Sequence, residues 1–397
     1  MSHRGGAARL LRELSGGLGD AGLFLPIAAA LISVNGLDAT AVFTVSGLAY
    51  VGTALYFRVP VPVQPLKAFA AAAIALRLDA SVIAAGALCM SLALALLSAT
   101  GAADFLARRF PLVLVRGIQA SVALLLGKAA LDLALEGDWS GMPAIAPGAS
   151  VAMALGGCVV LILAASRDRV PGALIVLGGG AAAGIAIAGL PHLGGLGPTA
   201  PGLGIPPPAA FATALTSLVL AQVPLTFGNA VVATADAERA YFGLAARRVR
   251  PGRLAASIAA ANAAAGLSGG LPVCHGAGGV TAHYRCGARG PLATKLAGAL
   301  YVILGLAFGA SLPALLHVVP PGALAGMLLY VAVQHGLLAA RPDGAADRAI
   351  AAAVGATTLA SGNLAIGFGC GVLLMLSRAA ARRVAGRLPA ARRSLSG

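Results

Sequence analysis

From residue 170 to residue 235 the chain carries no aspartate, glutamate, lysine or arginine, and the same holds for residues 296–340 and 349–377. A membrane-spanning helix needs only about 20 apolar residues, so the first two runs each hold more than one crossing. With 59% hydrophobic residues, 10% charged residues and a mean hydropathy of +0.90, the chain is built for a lipid bilayer rather than for water. Glycine and alanine dominate where a soluble core would use leucine and phenylalanine. Small residues let helix backbones approach closely in lipid, so the expected fold is a compact all-α polytopic bundle.

The net charge of +15 is explained by orientation and needs no nucleic-acid partner. The basic residues cluster between apolar segments: Arg4, Arg9 and Arg12; Arg108 and Arg109; Arg167 and Arg169; Arg247, Arg248, Arg250 and Arg253; Arg341 and Arg348; and Arg378 to Arg393. The positive-inside rule places them all in the cytoplasm. Asp132, Glu136 and Asp138 with Trp139, and the uncharged Pro/Gly stretch 191–208, then face outward. Both termini are cytoplasmic, the number of crossings is even, and the location is the cell (inner) membrane.

Segments placed between these loops fall at roughly 14–35, 39–57, 60–77, 80–101, 110–130, 143–166 and 170–190, then 209–234, 254–268, 271–286, 291–310, 313–338, 349–361 and 363–379. The chain therefore divides into a leader (1–12), a first repeat of seven segments (13–190), an external loop (191–208), a second repeat of seven (209–379) and a basic cytoplasmic tail (380–397). The third and tenth segments are broken by proline and glycine and enter from opposite sides, which makes the repeats inverted. Their breaks, residues 61–67 and 271–277, are counterparts: Asp20 lies 42 residues before Pro62, and Asn229 lies 43 before Pro272. Interrupted segments at matching positions of two halves point to the substrate site of a secondary transporter.

At the first break, β-branched residues alternate with prolines over residues 59–63, which favours a short strand. Pro65 suits the first turn of a following half-helix, expected to begin near Gln64 or Pro65. Its unsatisfied N–H groups and positive dipole end would lie at membrane depth, where an anion is the natural ligand. Lys67 adds a full positive charge there. The second break, residues 272–279, has no fixed charge but is rich in glycine, so Cys274, His275, Gly276 and Ala277 bring backbone N–H groups close to a ligand. His275 can donate a hydrogen bond, or sense pH with an ordinary pKa of about 6.5, or merely satisfy a backbone carbonyl.

Intramembrane carboxylates are functional candidates. Glu13 and Asp20 are seven residues apart, on one face of a regular first helix. Asp20, the deeper one, is the candidate proton-coupling carboxylate or partner of Lys67; Glu13 fits an interfacial ion pair beside Arg12. Arg116 and Gln119 form a polar patch that either packs the bundle or serves the site. Asp236, Glu238 and Arg239 read as the solvated end of the eighth segment, and His192, His317 and His335 have no constellation around them. Cys89, Cys158, Cys274, Cys286 and Cys370 lack paired spacing. Neither a metal site, which Cys274, His275, His283 and Cys286 would have to build, nor a cofactor is expected. No acidic metal cluster or nucleophile–base pair supports an enzyme.

Residues 13–20 (ELSGGLGD), 60–67 (PVPVQPLK), 116–119 (RGIQ), 222–229 (QVPLTFGN), 269–279 (GGLPVCHGAGG) and 284–289 (YRCGAR) together resemble the signatures of the molybdate transporter family, an offshoot of the sulfate permease (SulP) superfamily. The resemblance runs from about Glu13 to Asn363. It implies the fourteen-segment inverted-repeat fold of uracil and bicarbonate carriers, with segments 1–4 and 8–11 as core and 5–7 and 12–14 as gate. It also implies uptake of molybdate with tungstate and sulfate as competitors, and a homodimer through the gate. Carried over by position, the substrate lies between Gln64, Pro65 and Lys67 on one side and Cys274, His275, Gly276 and Ala277 on the other, with Asn229 and Asp20 nearby; Arg116 and Gln119 fall outside that centre. Unlike many SulP relatives, the chain is expected to carry no C-terminal STAS domain. The expected activity is import of a tetrahedral oxyanion, with the proton as coupling ion and core moving against gate. A sulfate or tungstate permease, a nucleobase:proton symporter and an anion channel are the alternatives.

Overall fold

The structure, a computed structural model, describes residues 3–107, 111–136, 145–166, 172–200, 202–340 and 344–393. Arg108, Arg109, Asp138, Trp139, Arg167, Arg169 and Arg341 lie outside the described residues. The first half comprises α1 (His3–Gly17), α2 (Ala21–Asn35), α3 (Ala39–Phe57), β1 (Gln64–Pro65), α4 (Lys67–Ala75), α5 (Ala80–Ala99), α6 (Ala102–Ala107), α7 (Leu112–Glu136), α8 (Pro147–Ala165) and α9 (Gly172–Ala188). In the second half, α10 (Pro208–Ala214), α11 (Leu220–Leu225) and α12 (Ala233–Phe242) are joined by π-helical turns at Leu215–Val219 and Thr226–Val232, and a 3-10 turn, Gly243–Arg248, follows. Then come α13 (Pro251–Ser268), β2 (Val273–Cys274), α14 (Ala277–Arg285), α15 (Leu292–Phe308), α16 (Leu312–His317), α17 (Pro321–Ala339), α18 (Ala345–Ser361) and α19 (Leu364–Arg393).

Among the described residues, four helices are long and apolar enough to cross a membrane: Ala39–Phe57, Ala80–Ala99, Leu112–Leu135 and Pro147–Ala164. Pro208–Val223 and Thr226–Arg248, bent by 51°, make a fifth crossing if taken together. Pro224 sits at that bend; it cannot donate to the helical ladder, and the widened turn beside it absorbs the defect. Helix starts follow local chemistry. Asp38 accepts the Ala41 N–H at 2.7 Å and Asp79 the Val82 N–H at 3.0 Å, each satisfying a donor at a helix N-terminus.

Several expected boundaries move. The first segment is not one regular helix, because Gly16, Gly17 and Gly19 weaken it and the chain turns at residues 18–20; Glu13 and Asp20 therefore belong to different helical stretches. The leader is part of α1, which begins at His3, and α19 continues through the basic tail to Arg393, since alanine and arginine are good helix formers. The twelfth segment divides into α16 and α17 around Pro320 and Pro321. The stretch 191–207 forms no regular element where described, yet it is pinned to the bundle: Gly197 N–H bonds Ala307 O, Gly204 N–H bonds Leu267 O, and Thr199 bonds Thr40 and Asp38.

Packing separates two sets of helices. In one, α3 lies along α15 and α13 lies along both α5 and α3; in the other, α7 packs on α17, α18 and α8. Glycine permits the tightest approach. A Cβ on Gly47 would lie 2.6 Å from Gly298 O, and one on Gly298 would lie 2.6 Å from Gly47 O, so α3 and α15 touch backbone to backbone. Phe24, Phe43, Tyr50 and Tyr301 fill the space beside them, with Phe24 and Tyr301 stacked at 4.6 Å. The two sets meet where α4 packs on α7 and α2 on α17.

Candidate functional site

The two broken segments cross. β1 and β2 pair antiparallel, Gln64 opposite Cys274 and Pro65 opposite Val273, and Leu66 N–H bonds Pro272 O at 3.0 Å. The half-helices start at Lys67 and Ala277; the first starts later than the sequence suggests, because Pro65 and Leu66 are occupied in the crossing. Extended pairing is also confined to residues 64–65 on the first strand: Val61 N–H turns back to Val59 O at 2.9 Å. From α13, Asn262 braces β2, donating to Val273 O at 2.7 Å and accepting Val273 N–H at 3.1 Å.

Two helix N-termini thus meet at one place. Among the described residues the N–H groups of Lys67 and Ala68, and of Ala277, Gly278 and Gly279, have no hydrogen-bond partner, while Phe69 N–H is taken at 2.9 Å by Gln222 Oε1. Lys67 is buried, with neither an acidic nor a hydrogen-bonding partner among the described residues. Gln64 fills the gap between the ends: a Cβ on Gly276 would lie 2.2 Å from its Oε1 and 3.4 Å from Lys67 Nζ, and one on Gly279 would lie 2.4 Å from its Nε2. Glycine at 276 and 279 is what lets the second strand and helix close on Gln64. Free backbone donors, two positive dipole ends and a buried ammonium make a receptor for negative charge.

The remaining sequence candidates divide around this centre. Cys274 lies on it, its Sγ 3.7 Å from Pro65 O. His275 faces the other way, because neighbouring residues of an extended strand point to opposite faces. Its Nδ1–H donates to Pro62 O at 2.7 Å and its Nε2 accepts from Ser257 at 3.0 Å, an arrangement that suits the neutral imidazole and braces the strand. The ring also borders a mostly apolar groove of about 550 Å³ between α3 and α13. Asn229 occupies the π-helical turn, and Thr234 donates to both Asn229 O (3.0 Å) and His275 O (3.4 Å), tying that turn to the second break.

Asp20 makes no ion pair with Lys67. It accepts from the Tyr50 hydroxyl, 2.8 Å from both carboxylate oxygens, and lies 3.0 Å from His283 Nε2. Glu13 is not an interfacial partner of Arg12; it is buried and accepts the Arg289 N–H at 3.2 Å, fastening α1 to the turn before α15. Arg116, half-buried, and Gln119, buried, sit on α7, the helix of the second set that packs on α4.

Sequence reasoning missed several polar groups. Gln222 caps α4, Asn262 clamps β2, and His335 on α17 is buried with Nδ1 unpartnered, within electrostatic reach of Lys67. Only a three-dimensional crossing reveals the first two; a histidine inside an uncharged run was the one available signal for the third. Glu238, expected in solvent with Asp236 and Arg239, is completely buried while those two are exposed. The helix turns it away from its charged neighbours.

A family model described as the molybdate transporter of the MFS superfamily matches residues 12–126 and 214–334. Molybdate transporter 2 of Arabidopsis thaliana is 29% identical over 92% of this chain and 87% of its own length. Molybdate transporter 1 of Chlamydomonas reinhardtii is 28% identical over 80% of this chain and 81% of its own. In fold the chain is similar to the transmembrane domain of a cyanobacterial bicarbonate transporter, BicA (TM-score 0.66, 18% identity, 94% of this chain and 98% of that one), and to SLC26A9 (TM-score 0.62, 15% identity, 94% and 66%). The match covers more than half of the sequence and includes both broken segments: the chain is a multi-pass membrane protein belonging to the molybdate transporter family.

Proposed function

We propose that the chain is a secondary active importer of molybdate, driven by protons, whose substrate binds between the N-termini of α4 and α14. The observation that carries this reading is Lys67, a buried ammonium with no ion-pair or hydrogen-bond partner among the described residues, set where two helices present free N–H groups. Gln64, Gly276 and Ala277 line that space and Cys274 borders it; Asn229 acts through its π-helical turn, and His275 as a brace rather than a ligand. In this reading the chain has fourteen segments in two inverted repeats, residues 13–190 and 209–379, with both termini in the cytoplasm of an inner membrane. The separate packing of α3, α5, α13 and α15 from α7, α8, α17 and α18 supports a core that moves against a gate, exposing the site to each side in turn. His335 is the residue through which the gate helix α17 reaches the site, and Asp20, held by Tyr50 and His283, is a carboxylate through which a proton couples.

The test is uptake of radiolabelled molybdate into liposomes under an inward proton gradient, with tungstate, sulfate and uracil as competitors. Saturable uptake blocked by tungstate, and lost in Lys67→Met with folding intact, is expected. Wild-type uptake in Lys67→Met would remove the paired half-helix site; dominant competition by sulfate would make the chain a general sulfate permease.

A further inference from the structure

We propose that Glu238 is a proton-binding site, distinct from Asp20, whose carboxyl is protonated in this conformation and releases its proton when the end of α12 opens. Glu238 is completely buried and neither carboxyl oxygen has a hydrogen-bond partner. Thr234, four residues before it, gives its hydroxyl to Asn229 O and His275 O, and the rest of the face is apolar. Ala235 and Phe242, three residues before it and four after, share its helical face, and both belong to a cluster with Phe57, Val59, Val61, Ala246, Val249 and Leu254. A carboxylate stripped of water and donors in such a place neutralises rather than remain charged.

Charged and titratable groups surround the cluster without answering it. On α12, Asp236 and Arg239 are exposed. The 3-10 turn carries Arg247, exposed, and Arg248, which donates to Tyr56 O; Arg58 ends α3, and Arg250 and Arg253 begin α13. On α14, His283 places Nε2 3.0 Å from Asp20, and Tyr284 stacks on Tyr241 at 4.5 Å beneath the Arg289 guanidinium. None of these bonds Glu238.

The O–H bond therefore breaks only when the face opens: the proton leaves to water and the carboxylate that remains meets the arginines at that end. Gly243, at φ 54° and ψ −128° directly after α12, is a joint at which the helix end can swing. Val59 and Val61 lead straight into Gln64, so opening the cluster loosens β1 and the anion site with it. The protonation stands on the fold alone; its use in transport rests on the reading above.

Infrared difference spectroscopy of the full chain in lipid, wild type against Glu238→Gln at neutral pH, tests the protonation. A carbonyl stretching band of a protonated, weakly hydrogen-bonded acid is expected in the wild type and absent from the variant; folded samples showing no such difference would overturn the proposal. Glu238→Met supplies a second reading, because replacing an unpartnered polar group by an apolar one of similar size costs nothing. Its unfolding temperature should equal or exceed that of the wild type, and a marked fall would reveal a structural partner and overturn the site. In transport, one titrating proton changes uptake by about tenfold per pH unit on the limb it controls, and that limb should be flat in Glu238→Met. The infrared band together with wild-type uptake indifferent to a proton gradient would keep the site and remove proton coupling from the proposed function.

Discussion

Replacing Asn262 by leucine, which is close to it in size, should loosen the strand crossing without touching the anion site directly. Asn262 is completely buried and makes three bonds: Nδ2 donates to Ile258 O at 2.8 Å and Val273 O at 2.7 Å, and Oδ1 accepts Val273 N–H at 3.1 Å. Ile258 O lies inside α13 and keeps its helical partner. Val273 has no such reserve, because the Leu66 N–H to Pro272 O bond makes Pro65 and Val273 a non-hydrogen-bonded pair, whose polar groups point away from the partner strand. The substitution therefore strands one buried donor and one buried acceptor at about 1–3 kcal/mol each, roughly 2–6 kcal/mol together, against a stability of about 5–15 kcal/mol for a typical domain. At about 2–4 °C per kcal/mol or less for a chain of this size, unfolding should begin several degrees lower. A thiol-reactive dye reads this directly, since Cys274 is buried next to Val273 and Cys158 is buried elsewhere. Cys274 should become reactive first in Asn262→Leu. If Cys274 and Cys158 react at wild-type temperatures and molybdate uptake is unchanged, Asn262 is no clamp and the crossing is held by its backbone pairs alone.

Two further outcomes separate the site from its scaffold. Gly276→Ala pushes a methyl group to 2.2 Å from Gln64 Oε1, whereas a Cβ at Gly278 meets nothing within 4 Å; uptake by Gly276→Ala should need about tenfold more substrate or worse, while Gly278→Ala transports normally and both fold. The Ser81 hydroxyl, with help from Val82 N–H, holds the exposed Asp79 carboxyl at the start of α5 below the usual carboxylate range. Its folded pKa is the lower one, so the stability it lends is complete above the unfolded value of about 3.9 and is lost as pH falls through the folded value. Asp79→Asn keeps a capping oxygen but has no charge to lose, so the wild type's small advantage in unfolding temperature should vanish on acidification.

How much of this could be read from sequence depended on whether the signal was local. The breaks at residues 61–67 and 271–277 were legible because proline and glycine act on the backbone where they stand. Facing was not legible. Cys274 and His275 are neighbours of equal chemical interest, and only the strand register decides that the first borders the proposed anion site while the second braces Pro62 and Ser257. Partnership between distant segments was hidden too. Gln222 is 153 residues from the Phe69 N–H it caps, and Tyr50 is 30 from Asp20, the contact that engages the carboxylate and leaves Lys67 without an ion pair. Glu238 misled because charged neighbours suggest a solvated end, although a helix turns by about 100° per residue and separates Asp236 from Glu238 by more than half a turn.

The charge available at the crossing argues for the substrate class proposed. Lys67 contributes one positive charge, and each of two helix N-termini contributes about half a charge, giving roughly +2 in direct contact with the space, while Asp20, bonded by Tyr50 and 3.0 Å from His283 Nε2, acts on Lys67 only at longer range. A neutral nucleobase would leave that charge unanswered at membrane depth, and a monoanion would answer half of it. A tetrahedral dianion balances it and offers acceptor oxygens in four directions to the free N–H groups of Lys67, Ala68, Ala277, Gly278 and Gly279. The same balance keeps the empty carrier costly to reorient, because an uncompensated charge of this size must be carried past the gate, whereas the loaded one is nearly neutral. In the proposed mechanism, movement of core against gate is then easiest with the dianion bound, the condition that a carrier needs and a channel does not.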